Sequence, residues 1–238
     1  MIKGILFDKD GTLVTFSEKW AEATSVIVEN YCKGIPSEKR TQKNSILKQL
    51  GIVNGRVIEG GVIAEGSLKD IAVIISHATD FPVQEVTEDV KVQYLQQLKR
   101  DSTFITPIGD VHGLFCRLKK LGYIIGVATG DDYMPSVFTM EAIHVMDDLS
   151  FIATSDRYPQ KPAADMASAF CERFSLLPKE VIYVGDTETD MQFSKHVAYG
   201  VGVLSGIGTK QTLSRYSDFV VPTIHGLLDE NGCLLGSN

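Results

Sequence analysis

The 238-residue chain predicts an α/β fold: a Rossmann-like three-layer core built on a parallel sheet, interrupted by an inserted helical domain. Three observations predict it. Short apolar runs alternate with amphipathic segments through the second half of the chain, those runs end at polar clusters, and a long stretch nearer the N-terminus shows helical spacing alone. Strands alternating with helices form parallel sheets covered on both faces. Such sheets bind ligands beyond the C-terminal ends of their strands.

Residues 2–7 form a mostly apolar run ending in a turn rich in Asp and Gly. This predicts a buried strand that carries Asp8 to its C-terminal end. Taken alone, the Asp10-Gly11 pair is equally compatible with a surface hairpin turn. From about Phe16 to Asp101 the apolar spacing is helical, over residues 20–31, 38–50, 68–78 and 83–98. Five glycines between Gly51 and Gly66 exclude a helix there and predict a loop or short hairpin. The expected division is a core of residues 1–15 and 103–238 around a helical domain of residues 16–102.

Regular alternation follows. A helix over 110–121 precedes a buried strand from Tyr123 that stops at Thr129-Gly130, and a helix over 135–143 precedes a strand at 151–153. A helix over 163–174 leads to the strand 181–184, which ends in Gly185-Asp186; a helix over 189–196 and a run over 199–203 complete another unit. The last dozen residues read as a short helix and a loose tail.

Composition narrows the function. A formal charge of −7 argues against a general nucleic-acid binder, which needs clustered Lys and Arg, but not against a small phosphate. Cys32, Cys116, Cys171 and Cys233 are far apart, with no CxxC pair and no Cys/His cluster, so reduced thiols are expected, three of them in apolar or helical surroundings that suit core packing, and a structural zinc site is not. No apolar run is long enough to span a bilayer, and the N-terminus runs straight into a strand without a signal-peptide pattern. A cytoplasmic protein without a membrane partner is the expectation.

Four polar clusters fall at strand ends or the turns beyond them: Asp8-x-Asp10, Thr129-Gly130, Lys161-Pro162 and Gly185-Asp186-x-x-x-Asp190. Each has a structural reading. Asp186 and Asp190 suit helix capping, Lys161 suits a solvated loop, and Thr129-Gly130 suits a strand running into a turn. Together, on parallel neighbours, they place several carboxylates in one small volume with a single lysine. Like charges so close repel and raise one another's pKa values. A hard divalent cation relieves that conflict, and an oxygen-rich site suits Mg²⁺.

Order and spacing resemble the haloacid dehalogenase-like hydrolases, in particular the phosphoglycolate phosphatase-like group. Phe7-Asp8-Lys9-Asp10-Gly11-Thr12-Leu13 is similar to the first family motif, Thr129 to the second, Lys161-Pro162 to the third and residues 185–190 to the fourth. The inserted helices lie between the first and second motifs, where this superfamily places a C1-type helical cap.

The resemblance implies a phosphatase in which Asp8 is the nucleophile and forms an aspartyl phosphate, with Asp10 as general acid and then base. It assigns Mg²⁺ to Asp8, the Asp10 backbone carbonyl and Asp186, with Asp190 binding through water or orienting a neighbour. Thr129, Gly130 and Lys161 would stabilise the phosphoryl oxygens. A small phosphorylated metabolite is the expected substrate, phosphoglycolate the first to try. A phosphomutase resembling β-phosphoglucomutase and a non-catalytic binding protein on the same scaffold are the alternatives.

Other positions take structural readings. Thr15-Phe16 replaces the Asp-Ser frequent after the first motif, Asp131-Asp132 read as helix caps, the five histidines suggest no triad, Trp20 packs the inserted domain, and Arg56 is solvated.

Overall fold

The computed structural model describes residues 1–16, 18–35 and 42–236, and the chain separates into two compact units, Met1–Phe16 with Ile105–Asn238, and Ser17–Phe104.

In the first unit, β1 (Gly4–Phe7) is fully buried, as an unbroken apolar strand at the centre of a parallel sheet must be. The second unit is helical. It contains α1 (Lys19–Lys33), α2 (Lys43–Gln49), a hairpin of β2 (Ile52–Val53) and β3 (Arg56–Val57), then α3 (Val62–Glu65), α4 (Leu68–Thr79) and α5 (Val83–Arg100). Residues 38–41 of the second expected helix lie outside the described residues. The glycine-rich stretch is a hairpin because Asn54 and Gly55 both take positive φ, 51° and 77°, as a tight two-residue turn requires. It also contains α3, a turn of helix that its glycine content does not predict. This unit closes its own core, in which Ile27, Ile46, Leu50, Ile71, Ile75 and Val90 are buried. Trp20 packs within it, with ring centroids 4.9 Å from Tyr94 and 4.8 Å from Phe104. Arg56 is exposed on the hairpin.

The chain then returns to the first unit through α6 (Val111–Lys120), β4 (Ile124–Thr129), α7 (Tyr133–Ala142), β5 (Phe151–Thr154), α8 (Asp165–Phe174), β6 (Val181–Gly185), α9 (Glu188–Phe193), β7 (Tyr199–Val203), α10 (Lys210–Leu213) and β8 (Phe219–Val221). The six strands order as β5-β4-β1-β6-β7-β8, all parallel. Side chains alternate between faces with period two. Ile5, Phe7, Val127, Ile182 and Val184 pack with Leu114 and Phe115 of α6, while Leu6, Ala128 and Tyr183 pack with Phe170 of α8 and Phe193 of α9. These are the three layers of an α/β core. Among the described residues, no helix is long and apolar enough to cross a membrane.

Two expectations are corrected here. The last dozen residues are not a loose tail: a short 3₁₀ turn at Ile224–Leu227 leads into them, Leu234 is buried, Leu228 bridges Leu234, and the Tyr199 hydroxyl donates to the Leu235 carbonyl at 2.6 Å. The cysteines do not all stand apart from histidine, because α6 sets Cys116 beside His112 with Asp148 close to both.

Candidate active site

In the register of the sheet, Phe7 lies opposite Val127 of β4 and Val184 of β6. Asp8 therefore emerges from the middle of the sheet between the ends of those two strands, and its N–H donates to the Val184 carbonyl at 2.8 Å. Lys161 reaches in from the loop between β5 and α8. Its ammonium donates to Asp8 Oδ1 at 2.7 Å, Asp190 Oδ1 at 2.6 Å and the Tyr183 hydroxyl at 2.8 Å. Asp186 follows β6 directly, and its carboxylate accepts from the Ile207 N–H at 2.9 Å and from the Thr12 hydroxyl at 3.3 Å. Ligand atoms of Asp8, Asp186 and Asp190, all buried, lie within 4.8 Å of one another.

Three buried carboxylates thus lie together, and the one buried lysine among them pairs with two, Asp8 and Asp190. Burial pushes the Asp8 carboxyl up; Lys161 opposes this in part, Asp190 and Asp10 reinforce it, and the result is about 7. Asp186 is held well above the ordinary carboxylate range by burial and by the charges of Asp190 and Asp8. Asp190 goes the other way. Burial would raise it, but Lys161, Thr187 and Tyr183 all donate to it and lower it. Its Oδ2 also accepts the backbone N–H groups of Asp186 and Thr187 at 3.1 and 3.0 Å.

Asp190 is therefore both a capping-box residue of α9 and the anchor of Lys161: the Thr187 side chain accepts from the Asp190 N–H while the Asp190 carboxylate takes donors from the turn. With donors on both oxygens, it has little left to offer a metal. Asp8 and Asp186 have the opposite balance, too few donors for two buried charges. That donor set of hard oxygens, short of positive charge, fits a small divalent cation. Backbone shape enforces the crowding. A Cβ on Gly206 would stand 1.8 Å from Asp186 Oδ2, and one on Gly11, at φ +78°, 2.3 Å from the same atom.

The remaining residues named from the sequence border this cluster. Thr129 ends β4, and its hydroxyl accepts the Asp131 N–H at 3.1 Å; Gly130 continues into the turn, half-buried. Asp10, the more exposed acid, pairs with Lys9 at 2.5 Å, and Lys9 also reaches Asp131 at 3.2 Å. Of the pair expected to cap a helix, Asp132 takes the N-cap position of α7, and Asp131 stands one residue before it, accepting the Asp132 N–H at 2.8 Å while it pairs with Lys9. Lys9 is only 2% exposed, so its ammonium must be neutralised where it lies. Burial would lower its pKa, yet the two carboxylates raise it.

Lys9 and Tyr183 are the functional candidates that sequence reasoning passed over. Tyr183 carried a signal, a hydroxyl inside the otherwise apolar strand β6, whereas Lys9 stands between two aspartates in a polar turn and carried none. The histidines form no triad with the cluster. His196 and His225 bond backbone carbonyls, of Pro162 at 3.0 Å and Ile108 at 2.8 Å.

Residues 2–197 match the family model described as a haloacid dehalogenase-like hydrolase. A phosphoglycolate phosphatase of Escherichia coli (strain K12) is 22% identical over 249 residues, covering 97% of this chain and 93% of that protein. Among solved structures, a β-phosphoglucomutase from Clostridium difficile superposes with a TM-score of 0.68 at 16% identity, covering 97% and 95% of the two chains. A predicted phosphoglycolate phosphatase from Haemophilus somnus gives 0.61 at 18% identity, over 93% and 94%. These similarities in structure are similarities of fold.

Proposed function

Because this chain belongs to the haloacid dehalogenase-like hydrolases, we propose that it is a Mg²⁺-dependent phosphatase of a small phosphorylated metabolite, with Asp8 as nucleophile and Asp10 as general acid and base. The observation that carries this reading is the single ammonium of Lys161 shared by Asp8 and Asp190 at the end of the central strand.

Asp8, the Asp10 backbone carbonyl and Asp186 are the residues that would hold Mg²⁺. When bound, the cation offsets the repulsion between the Asp8 carboxylate and a phosphate dianion. Lys161, held by Asp190 and Tyr183, presents one orientation of its charge to the phosphoryl oxygens without reorganisation during the reaction. The Thr129 hydroxyl and Gly130 N–H are the further donors. Asp8 attacks phosphorus in line and becomes an aspartyl phosphate as the bond to the leaving oxygen breaks. The Asp10 side chain, tethered by Lys9, gives that oxygen a proton. It then takes one from the water that hydrolyses the intermediate.

Phosphoglycolate is the first substrate to try, since the curated relatives act on it by name. The helical unit would serve as the cap that selects the substrate.

Hydrolysis of p-nitrophenyl phosphate is expected to require Mg²⁺ and to vanish in Asp8→Asn. Full activity in that variant would sink the nucleophile assignment. Asp10→Asn should slow both steps, and an unchanged rate would remove Asp10 from its role. A metabolite screen scored by phosphate release identifies the substrate. Isomerised sugar phosphate without release would assign mutase chemistry instead.

A further inference from the structure

Away from the carboxylate cluster, His112, Cys116 and Asp148 are the other group of metal-ligating side chains that comes together among the described residues. Helix α6 places His112 and Cys116 four residues apart, hence one above the other on one face. Asp148 comes from the 3₁₀ turn Met146–Asp148. His112 Nδ1 lies 2.9 Å from Asp148 Oδ2, and the Lys119 ammonium donates to Asp148 Oδ1 at 2.8 Å and to the Asp147 carbonyl at 3.2 Å.

A carboxylate paired with a lysine accepts and does not donate, so the proton of the imidazole is on Nδ1. The neutral ring then has its lone pair on Nε2, and Nε2 faces Cys116 Sγ at 3.6 Å. A metal-binding histidine has this arrangement: one ring nitrogen donates to a carboxylate, which fixes the tautomer, and the other is left to ligate. The separation also fits. With metal–nitrogen and metal–sulfur bonds of about 2.0 and 2.3 Å at a tetrahedral angle, the two ligand atoms stand about 3.5 Å apart.

We propose that His112 Nε2 and Cys116 Sγ bind a thiophilic divalent cation of the Zn²⁺ class, with Asp148 orienting the imidazole and water completing the coordination. On binding, the S–H bond breaks, the sulfur–metal bond forms with the sulfur's electron pair, and the proton passes to solvent. His112 is more than half exposed and Cys116 is partly so, and an ion can therefore reach both from solvent. Thiolate and imidazole select a softer cation than the all-oxygen set at Asp8 and Asp186, so the two sites would sort metals by softness.

The test uses the full chain carrying Cys233→Ser, which removes the other accessible thiol; Cys32 and Cys171 are buried. Titrating Co²⁺ in excess Mg²⁺ should produce a thiolate-to-metal charge-transfer absorption that saturates at a single equivalent and is displaced by Zn²⁺. Cys116→Ser should abolish it. His112→Ala should weaken binding, and Asp148→Asn should weaken it roughly tenfold or more, the usual cost of losing such an orienting carboxylate. Circular dichroism checks that each variant is folded. An absent band in the parent chain, a band surviving Cys116→Ser, or unchanged affinity in His112→Ala would overturn the proposal.

Discussion

At the scale of single residues, the candidate site depends on two buried lysines, each shared between two carboxylates. Lys161 serves Asp8 and Asp190, and Lys9 serves Asp10 and Asp131. Breaking a buried ion pair by removing one partner costs about 3–5 kcal/mol, because the other charge is stranded. Lys9→Met is therefore expected to lower the denaturation midpoint markedly, and adding Asp131→Asn should recover part of the loss. Equal midpoints for Lys9→Met and the parent would show that the pair adds no net stability. Tyr183→Phe is subtler. It keeps the ring packed on Phe193, 4.7 Å between centroids, but deletes the hydroxyl that holds Lys161. A hydrogen bond to a charged group is worth about 1.5–3 kcal/mol, so kcat/KM should fall roughly tenfold or more with little change in fold. Steady-state kinetics beside a thermal melt decide it.

Among elements, the turn between β6 and α9 connects stability to chemistry. Its capping box resembles that of α4, where Ser67 and Asp70 exchange hydrogen bonds. Loss of such a cap costs about 1 kcal/mol. Ser67→Ala should show that cost alone, as a lower melting temperature at unchanged activity. Thr187→Ala should show it together with lost activity, because Thr187 also donates to Asp190, which anchors Lys161. Equal activities in the two variants would separate the α9 cap from the site. Gly206→Ala tests the neighbouring loop. A methyl there overlaps Asp186 Oδ2, so cation-dependent activity should be lost while the far-ultraviolet spectrum is kept.

For the whole molecule, charge packed without compensation is expected to make folding depend on pH and on a divalent cation. Asp8 is raised from 3.8 to about 7, so the folded protein holds a proton that the unfolded chain releases between those values. More protons bound in the folded state means that stability falls as pH rises through that window. A divalent cation displacing the proton offsets the loss. The Mg²⁺-induced rise in melting temperature should be small near about pH 5, larger above about pH 7, and absent in Asp8→Asn. A rise independent of pH would mean that Mg²⁺ binds elsewhere.

The alternation of buried runs and amphipathic helices is a local property, and it determined the α/β class. It also marked Asp8, Thr129, Lys161 and Asp186 as strand-end or loop residues, since strands in a parallel sheet share one direction. The edge strand β8 escaped this reading because Phe219–Val221 is three residues long and half-buried, too short for a period. Lys9, Tyr183 and Asp131 escaped it because burial and pairing arise only when β1, β4 and β6 lie side by side. The tertiary structure alone decided which acids are neutralised and which are left short of charge: Asp190 surrounded by donors, Asp8 and Asp186 crowded against it. That difference lies in distances of a few ångströms between residues up to 182 positions apart in the chain, from Asp8 to Asp190, and electrostatic energy depends on those distances rather than on sequence order.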